Sequence, residues 1–207
     1  MLMTGRLGVG TAIIFGLMQV IGERQKNMFH RLMALDQRIS QQVRLQQNGG
    51  PAWKLAVFFA HSGDSWFWMA GLAVTWLFTR GSWHKNAMLL AIGVAVLAVL
   101  VLAIKFSIRR ERPKGEWGSI YRNTDPHSFP SGHAARAALL AVMALGLGPT
   151  WFGWTVLIWA PLVSLARVST GVHYLTDILA GLAFGAAAGF GMLALAPVLV
   201  RWLPFLF

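Results

Sequence analysis

The sequence predicts an all-α protein, a polytopic membrane helix bundle of about six transmembrane helices with an amphipathic surface helix. Three observations carry this reading. Of 207 residues, 56% are hydrophobic and only 12% charged, about half the charged share of an ordinary soluble domain. The apolar residues gather in long uncharged runs, and turn-forming and basic residues cluster between them. A typical soluble globule and a disordered chain are both excluded. The absence of cysteine rules out a disulfide framework, a thiol nucleophile and thiolate metal sites. Lys and Arg number 18 against 7 Asp and Glu, a net charge of +11. In so apolar a chain this points to a membrane surface and anionic lipid-like partners, not to nucleic acid.

The runs set the elements in order. Leu7–Gly22 is sixteen residues long, marginal for a span that needs about 20. It reads as a short span or an interfacial helix, and no small-residue cleavage site marks it as a signal peptide. In segment 23–54, Met28, Leu32, Leu35, Ile39 and Val43 recur at helical spacing among Arg and Gln, the pattern of a helix lying on a membrane surface. A solvated linker helix gives the same pattern. Leu55–Thr79, interrupted only by Asp64, is read as one span and Ala87–Ile104 as the next. Ala137–Ala166 is a 30-residue uncharged run broken by Gly146-Leu147-Gly148-Pro149, so it divides into helices at roughly 131–147 and 151–168. Ile178–Val200 closes the bundle. Trp53, Trp83, Trp151 and Trp202 stand near span ends, where a bilayer interface favours them. The organisation expected is an N-terminal span and surface segment over 1–54 and a helical bundle over 55–207, a single domain overall.

Ionisable groups at membrane depth are costly and therefore functional suspects. Three clusters stand out. Lys105 and Arg112 are seven residues apart, two helical turns, so they share a face, and Pro113 then stops the helix. A juxtamembrane basic patch would look the same. Ser128-Phe129-Pro130-Ser131-Gly132-His133 opens the fourth span, where free backbone N–H groups make a ready anion site and His133 can exchange a proton. A simple helix cap with an interfacial histidine is the alternative. Arg167 precedes His173 and Asp177, an i, i+4 pair at the start of the last span. There a carboxylate could hold one imidazole nitrogen and expose the other as a nucleophile, or simply make a structural hydrogen bond.

Topology joins the clusters. Two spans separate the loop carrying the first two from the loop carrying the third, so all three face one side of the membrane. Lys105, Arg112 and Arg167 with backbone donors match the peripheral oxygens of a phosphoryl group. Paired carboxylates of the two-metal kind are missing, and the cations would repel a divalent ion. No metal or other cofactor is expected.

K-x6-R-P from Lys105 to Pro113, P-S-G-H from Pro130 to His133, and R-x5-H-x3-D from Arg167 to Asp177 resemble the three motifs of the type 2 phosphatidic acid phosphatase family over about 60–200. One departure is Ala166, where the family usually has serine. The soluble vanadium haloperoxidases share these motifs, but the span pattern argues against that branch. The resemblance implies a metal-independent phosphatase in which His173, held by Asp177, attacks phosphorus and forms a phosphohistidine. It also implies that His133 serves the leaving oxygen and then the hydrolytic water. Lys105, Arg112, Ser131, Gly132 and Arg167 would hold the phosphoryl oxygens. The segment SFPSGHAARAALL is similar to the subgroup acting on polyisoprenoid diphosphates, with Arg136 as a second-phosphate contact or an arginine snorkelling to the interface.

The expected substrate is thus a lipid phosphate of the undecaprenyl diphosphate type, with phosphatidylglycerophosphate, phosphatidate or a lipid A phosphate as alternatives. A non-catalytic lipid-binding membrane protein is the alternative of another class; an anionic-lipid transporter would need inverted repeats, which are not seen. Membrane lipids are the other partners expected. Setting aside the phosphate cage and Arg136, ten Lys and Arg lie on the site side and four on the other. That bias puts the site in the cytoplasm, whereas carrier-lipid recycling enzymes would open outward.

Overall fold

The computed structural model describes residues 9–47, 49–115, 117–118 and 123–207. Leu7 and Gly8, where the first expected run begins, lie outside them. The chain divides into two compact units, Met1–Ile39 and Ser40–Phe207. Seven helices of twelve residues or more occur among the described residues: α1 Val9–Val43, α2 Pro51–Ser62, α3 Ser65–Phe78, α4 Ser82–Ile108, α5 Gly132–Leu147, α6 Thr150–Ser169 and α7 Leu175–Trp202. A short 3₁₀ turn at Pro204–Leu206 ends the chain. The fold class is the all-helical one that the composition predicts.

Two expected boundaries move. The N-terminal run and the surface segment form one uninterrupted helix, α1, because no Gly-Pro pair or polar turn separates them. Helical structure then stops at Val43 and resumes at Pro51, whose fixed φ and missing N–H suit a first helical position. The run 55–79 is also divided, since Gly63 and Asp64 break it between α2 and α3. The pair predicted from the Gly/Pro break is found at Gly132–Leu147 and Thr150–Ser169. Among the described residues, three helices, α4, α6 and α7, are long and apolar enough to cross a membrane, and α3 and α5 are shorter apolar helices. This is a multi-pass membrane architecture, although length and composition alone mark three spans and not six.

Within Ser40–Phe207, α5 is the central helix. Its Ala135, Leu139, Leu140 and Met143 are buried in one cluster with Leu89 and Val94 of α4, Val156 and Ala160 of α6, and Met192 of α7, while Ala134 is buried with Val168 of α6 and Ile178 of α7. The closest approach is to α7, which carries Gly181, Gly185 and Gly189 at four-residue intervals on one face. A Cβ at Gly181 would lie 2.6 Å from the Ser131 carbonyl oxygen, and one at Gly189 would lie 2.9 Å from the Val142 Cβ. At Gly185 a Cβ would overlap the Ala135 carbonyl. Small residues at such spacing let membrane helices meet backbone to backbone. The contact fixes the start of α5 against the start of α7, where Ser131 N–H donates to the Asp177 carbonyl at 3.0 Å.

Gly185→Ala should therefore lower the thermal midpoint in detergent, because backbone stands where the methyl must go and overpacking costs about 1–3 kcal/mol. Gly191→Ala, which meets nothing within 4 Å, should leave the midpoint unchanged or slightly raised.

Candidate active site

α4 ends at Ile108, and Arg109 turns the chain through a left-handed conformation at φ 54°. Arg112 is thus beyond the helix, and the expectation that it shares a helical face with Lys105 is corrected. Pro113 is not what stops α4. Lys105 and Arg112 are brought together by Asp125, a residue that the sequence reading did not place in the site. One oxygen, Asp125 Oδ2, accepts from Lys105 Nζ at 2.5 Å and from Arg112 Nη2 at 2.8 Å. Lys105 also donates to the His127 carbonyl at 2.8 Å, and Arg112 Nε donates to the Asp125 carbonyl at 2.7 Å. Both cations are buried.

His173 lies just before α7, with Asp177 in the first helical turn. Asp177 Oδ2 accepts the Tyr174 N–H at 2.9 Å and faces His173 Nδ1 at 3.4 Å. The other ring nitrogen, Nε2, stands 3.1 Å from Arg112 Nη1. A guanidinium can only donate, so Nε2 accepts, and the proton is assigned to Nδ1 facing Asp177. Burial, then the charges of Arg112, Arg167 and Lys105, hold the His173 imidazole well below its ordinary range. The result is a neutral imidazole whose basic nitrogen points toward the cations. Burial likewise lowers Arg112 from its usual value, partly offset by Asp125.

Arg110 is a second residue that the sequence reading passed over. Its Nη1 donates to Asp177 Oδ1 and to Thr176 Oγ1, each at 2.7 Å, and its guanidinium lies 4.1 Å from the Tyr174 ring centre. It braces the carboxylate from the side opposite His173. Its position in the run Arg109-Arg110-Glu111-Arg112 hid it among surface cations.

Ser131 caps α5, its Oγ accepting from Ala134 N at 3.4 Å. His133 follows in the first turn, and Arg136 one turn later donates to the Gly63 carbonyl. A cavity of about 230 Å³ collects the pieces: Lys105, Arg112, Asp125, Gly132, His133, Arg136, Arg167 and His173 line it together with Ser65 and with Val94, Leu97, Ala98, Val101 and Leu102, the α4 stripe that leads to Lys105. Ser131 and Asp177 are fully buried behind the cavity wall. Among the described residues, no group of three His, Cys, Asp or Glu side chains is placed to hold a metal ion.

The motif residues converge on one cavity, and the family profile of the PAP2 superfamily matches residues 86–201, more than half of the chain. The chain belongs to the PAP2 superfamily. It is 32% identical over 140 residues to an undecaprenyl-diphosphatase of Sulfolobus acidocaldarius, covering 66% of each chain. A lipid A 1-phosphatase of Porphyromonas gingivalis is 33% identical over 52% of this chain and 23% of its own length. A decaprenylphosphoryl-5-phosphoribose phosphatase of Mycobacterium tuberculosis is 36% identical over 47% of this chain and 54% of its own. The chain thus spans about two thirds or less of the length of these relatives. The crystal structure of a transmembrane PAP2 type phosphatidylglycerolphosphate phosphatase from Bacillus subtilis superposes with a TM-score of 0.66, covering 83% of this chain and 89% of that one at 23% identity. LpxE of Aquifex aeolicus superposes at 0.60 with 20% identity, covering 76% and 93%. These two likenesses bear on the fold.

Arg110→Met should destabilise the protein by about 3 kcal/mol or more, since it strands a buried carboxylate. Arg109→Met, at an exposed neighbour, should stay within about 0.5 kcal/mol. Thermal unfolding of both variants in the same detergent checks the pair.

Proposed function

We propose that the protein is a phosphatase acting on a lipid phosphate, most plainly a polyisoprenoid diphosphate of the undecaprenyl type, through a phosphohistidine and without a metal ion. The observation that carries this reading is the mixed lining of the cavity. Lys105, Arg112, Arg167 and two histidines gather at the end of an apolar α4 stripe, Val94 to Leu102, whose Leu102 is exposed on the outside of the helix. A phosphoryl group fits the charged end, and a hydrocarbon chain entering from the bilayer fits the stripe. The family membership and the first relative's name support the diphosphate; the lipid A and phosphatidylglycerolphosphate phosphatases among its likenesses keep those lipids as the second reading.

The geometry supports a chemical sequence. His173 Nε2 is unprotonated and aligned by Asp177 on the other ring nitrogen. It attacks phosphorus in line, the N–P bond forming as the bond to the leaving oxygen breaks. Lys105, Arg112, Arg167 and the Gly132 N–H offset charge on the phosphoryl oxygens. His133 gives a proton to the leaving oxygen, then takes one from the water that cleaves the phosphohistidine. Arg136, beside His133 on α5, is the contact proposed for a second phosphate. The active site is proposed to face the cytoplasm, since its end of Ser40–Phe207 bears Arg44, Lys54, Arg109, Arg110 and Lys114 against Arg80, Lys85 and Arg201 at the other.

Phosphate release from a panel of lipid phosphates should survive EDTA and be blocked by vanadate. His173→Ala should abolish it in a protein that still folds; loss on chelation with recovery in magnesium would overturn the metal-free chemistry. The depressed His173 value keeps the nucleophile neutral in acid, so the acid limb of kcat/KM should lie below about pH 6.5. Arg112→Gln removes a neighbouring positive charge, so it should lower the plateau and move that limb to higher pH. Lys114→Cys in this cysteine-free chain reads the side: labelling of intact cells by an impermeant thiol reagent would overturn the cytoplasmic placement.

A further inference from the structure

The turn between α2 and α3 carries a carboxylate that the chemistry above does not use. Asp64 is the N-cap residue of α3, a position where aspartate ordinarily accepts from the helix backbone. Here its side chain makes no capping bond. Asp64 Oδ1 lies 2.7 Å from His133 Nε2, and Oδ2 lies 3.1 Å from His61 Nδ1. The turn is pressed onto the imidazole, since a Cβ at Gly63 would sit 3.0 Å from His133 Cδ2. Arg136 holds the same turn through the Gly63 carbonyl. His61 is half exposed, whereas Asp64 and His133 are mostly buried.

The surroundings of His133 make such a partner necessary. Burial first, then the charges of Arg167 from α6 and Arg136 from α5, hold the imidazole below its ordinary range even with Asp64 beside it. They favour the neutral form, which has no proton to spare for a leaving oxygen. Asp64, from the α2–α3 turn, is the opposing charge. Burial alone would raise its carboxyl, but hydrogen bonds and charge from His133 and His61 outweigh this and hold it well below the usual carboxylate range. Asp64 is thus an anion between two histidines.

We infer that Asp64 is the positioning residue of the acid step, fixing the His133 ring through Nε2 and stabilising its protonated form until the leaving oxygen departs. The inference rests on the proposed role of His133 as the proton donor. In the step, the imidazolium proton passes to the leaving oxygen as the P–O bond breaks, and His133 becomes neutral with its bond to Asp64 intact. The water that later cleaves the N–P bond returns a proton to His133. His61, on the second oxygen of Asp64, anchors the carboxylate at the protein surface.

An acid matters most when the leaving group is a poor one, which separates this role from a structural one. Wild type, Asp64→Asn, Asp64→Glu and His133→Ala are assayed in detergent on phosphatidate, which expels an alkoxide, and on p-nitrophenyl phosphate, which expels a stabilised phenolate. Asp64→Asn should lose about 10- to 100-fold in kcat on phosphatidate and about threefold or less on p-nitrophenyl phosphate. His133→Ala should show the same selectivity with a larger loss. Asp64→Glu, which keeps the carboxylate but displaces it, should recover much of the phosphatidate activity and lose the remainder selectively; should Asp64→Asn not fold, the selectivity of Asp64→Glu carries the test. Equal losses on the two substrates, or none, in Asp64→Asn, or an unselective loss in Asp64→Glu, while His133→Ala is selective would overturn the inference and leave the proposed function standing. An unselective His133→Ala would overturn the acid assignment, and wild type that turns over a polyisoprenoid diphosphate but not phosphatidate would overturn the inference, since no alkoxide would then need this acid, and leave the proposed function standing.

Discussion

The backbone of α7 approaches α5 at Gly181, Gly185 and Gly189 so closely that a single methyl group would not fit between them, and the site geometry follows from that contact. α5 brings Gly132, His133 and Arg136, while α7 opens with Asp177 and is preceded by His173. The Ser131–Asp177 backbone bond ties the two starts directly. In a bilayer, helices gain little from burying apolar surface against each other, because lipid is equally apolar. Close packing must supply the rigidity, and glycine at every fourth position supplies the packing. A site needing its two histidines held to fractions of an ångström is therefore built where the helices are least able to slide.

Charge is the second constraint. Lys105, Arg112, Arg136 and Arg167 are all buried around one cavity, and burying an uncompensated cation costs several kcal/mol. Three carboxylates offset them, each from a different place in the chain: Asp64 from the α2–α3 turn, Asp125 from the segment before α5, and Asp177 from α7. Each faces a different part of the machinery. Asp177 holds His173, Asp64 faces His133, and Asp125 bridges Lys105 and Arg112. The cations still outnumber these carboxylates, which suits a site proposed to receive a multiply charged anion.

What the sequence made legible follows from what encodes it. The uncharged runs mark α4, α5, α6 and α7 because hydrocarbon tolerates few charges along a helix. The motif residues Lys105, Arg112, His133, Arg136, Arg167 and His173 meet at one cavity, as two intervening spans require. The break at Gly63–Asp64 was passed over because the run 55–79 was weighed by its apolar content, when a single aspartate inside it was the informative residue. The shared helical face of Lys105 and Arg112 failed because spacing assumes a continuing helix, and Arg109 ends it one turn after Lys105. Asp125 and Arg110 act through contacts distant in sequence, which no local pattern reveals. The Gly181, Gly185 and Gly189 stripe was readable but went unread, since glycine in an apolar run registers only as a weaker span.

The distribution of the two kinds of wall bears on how one family serves many lipids. The polar wall is drawn from motif residues and their carboxylate partners, and Asp125 by itself joins Lys105 to Arg112, so a change at one charge disturbs another. The apolar wall is the face of a single helix, α4, with Val94, Leu97, Ala98, Val101 and Leu102. Exchanges among aliphatic side chains there alter the volume open to a lipid tail without touching the cations, and such volume changes cost little when they are conservative. Under the proposed function, head-group chemistry and tail selection would thus rest on different residues of one cavity, and the relatives' differing lipids are what such a division would allow.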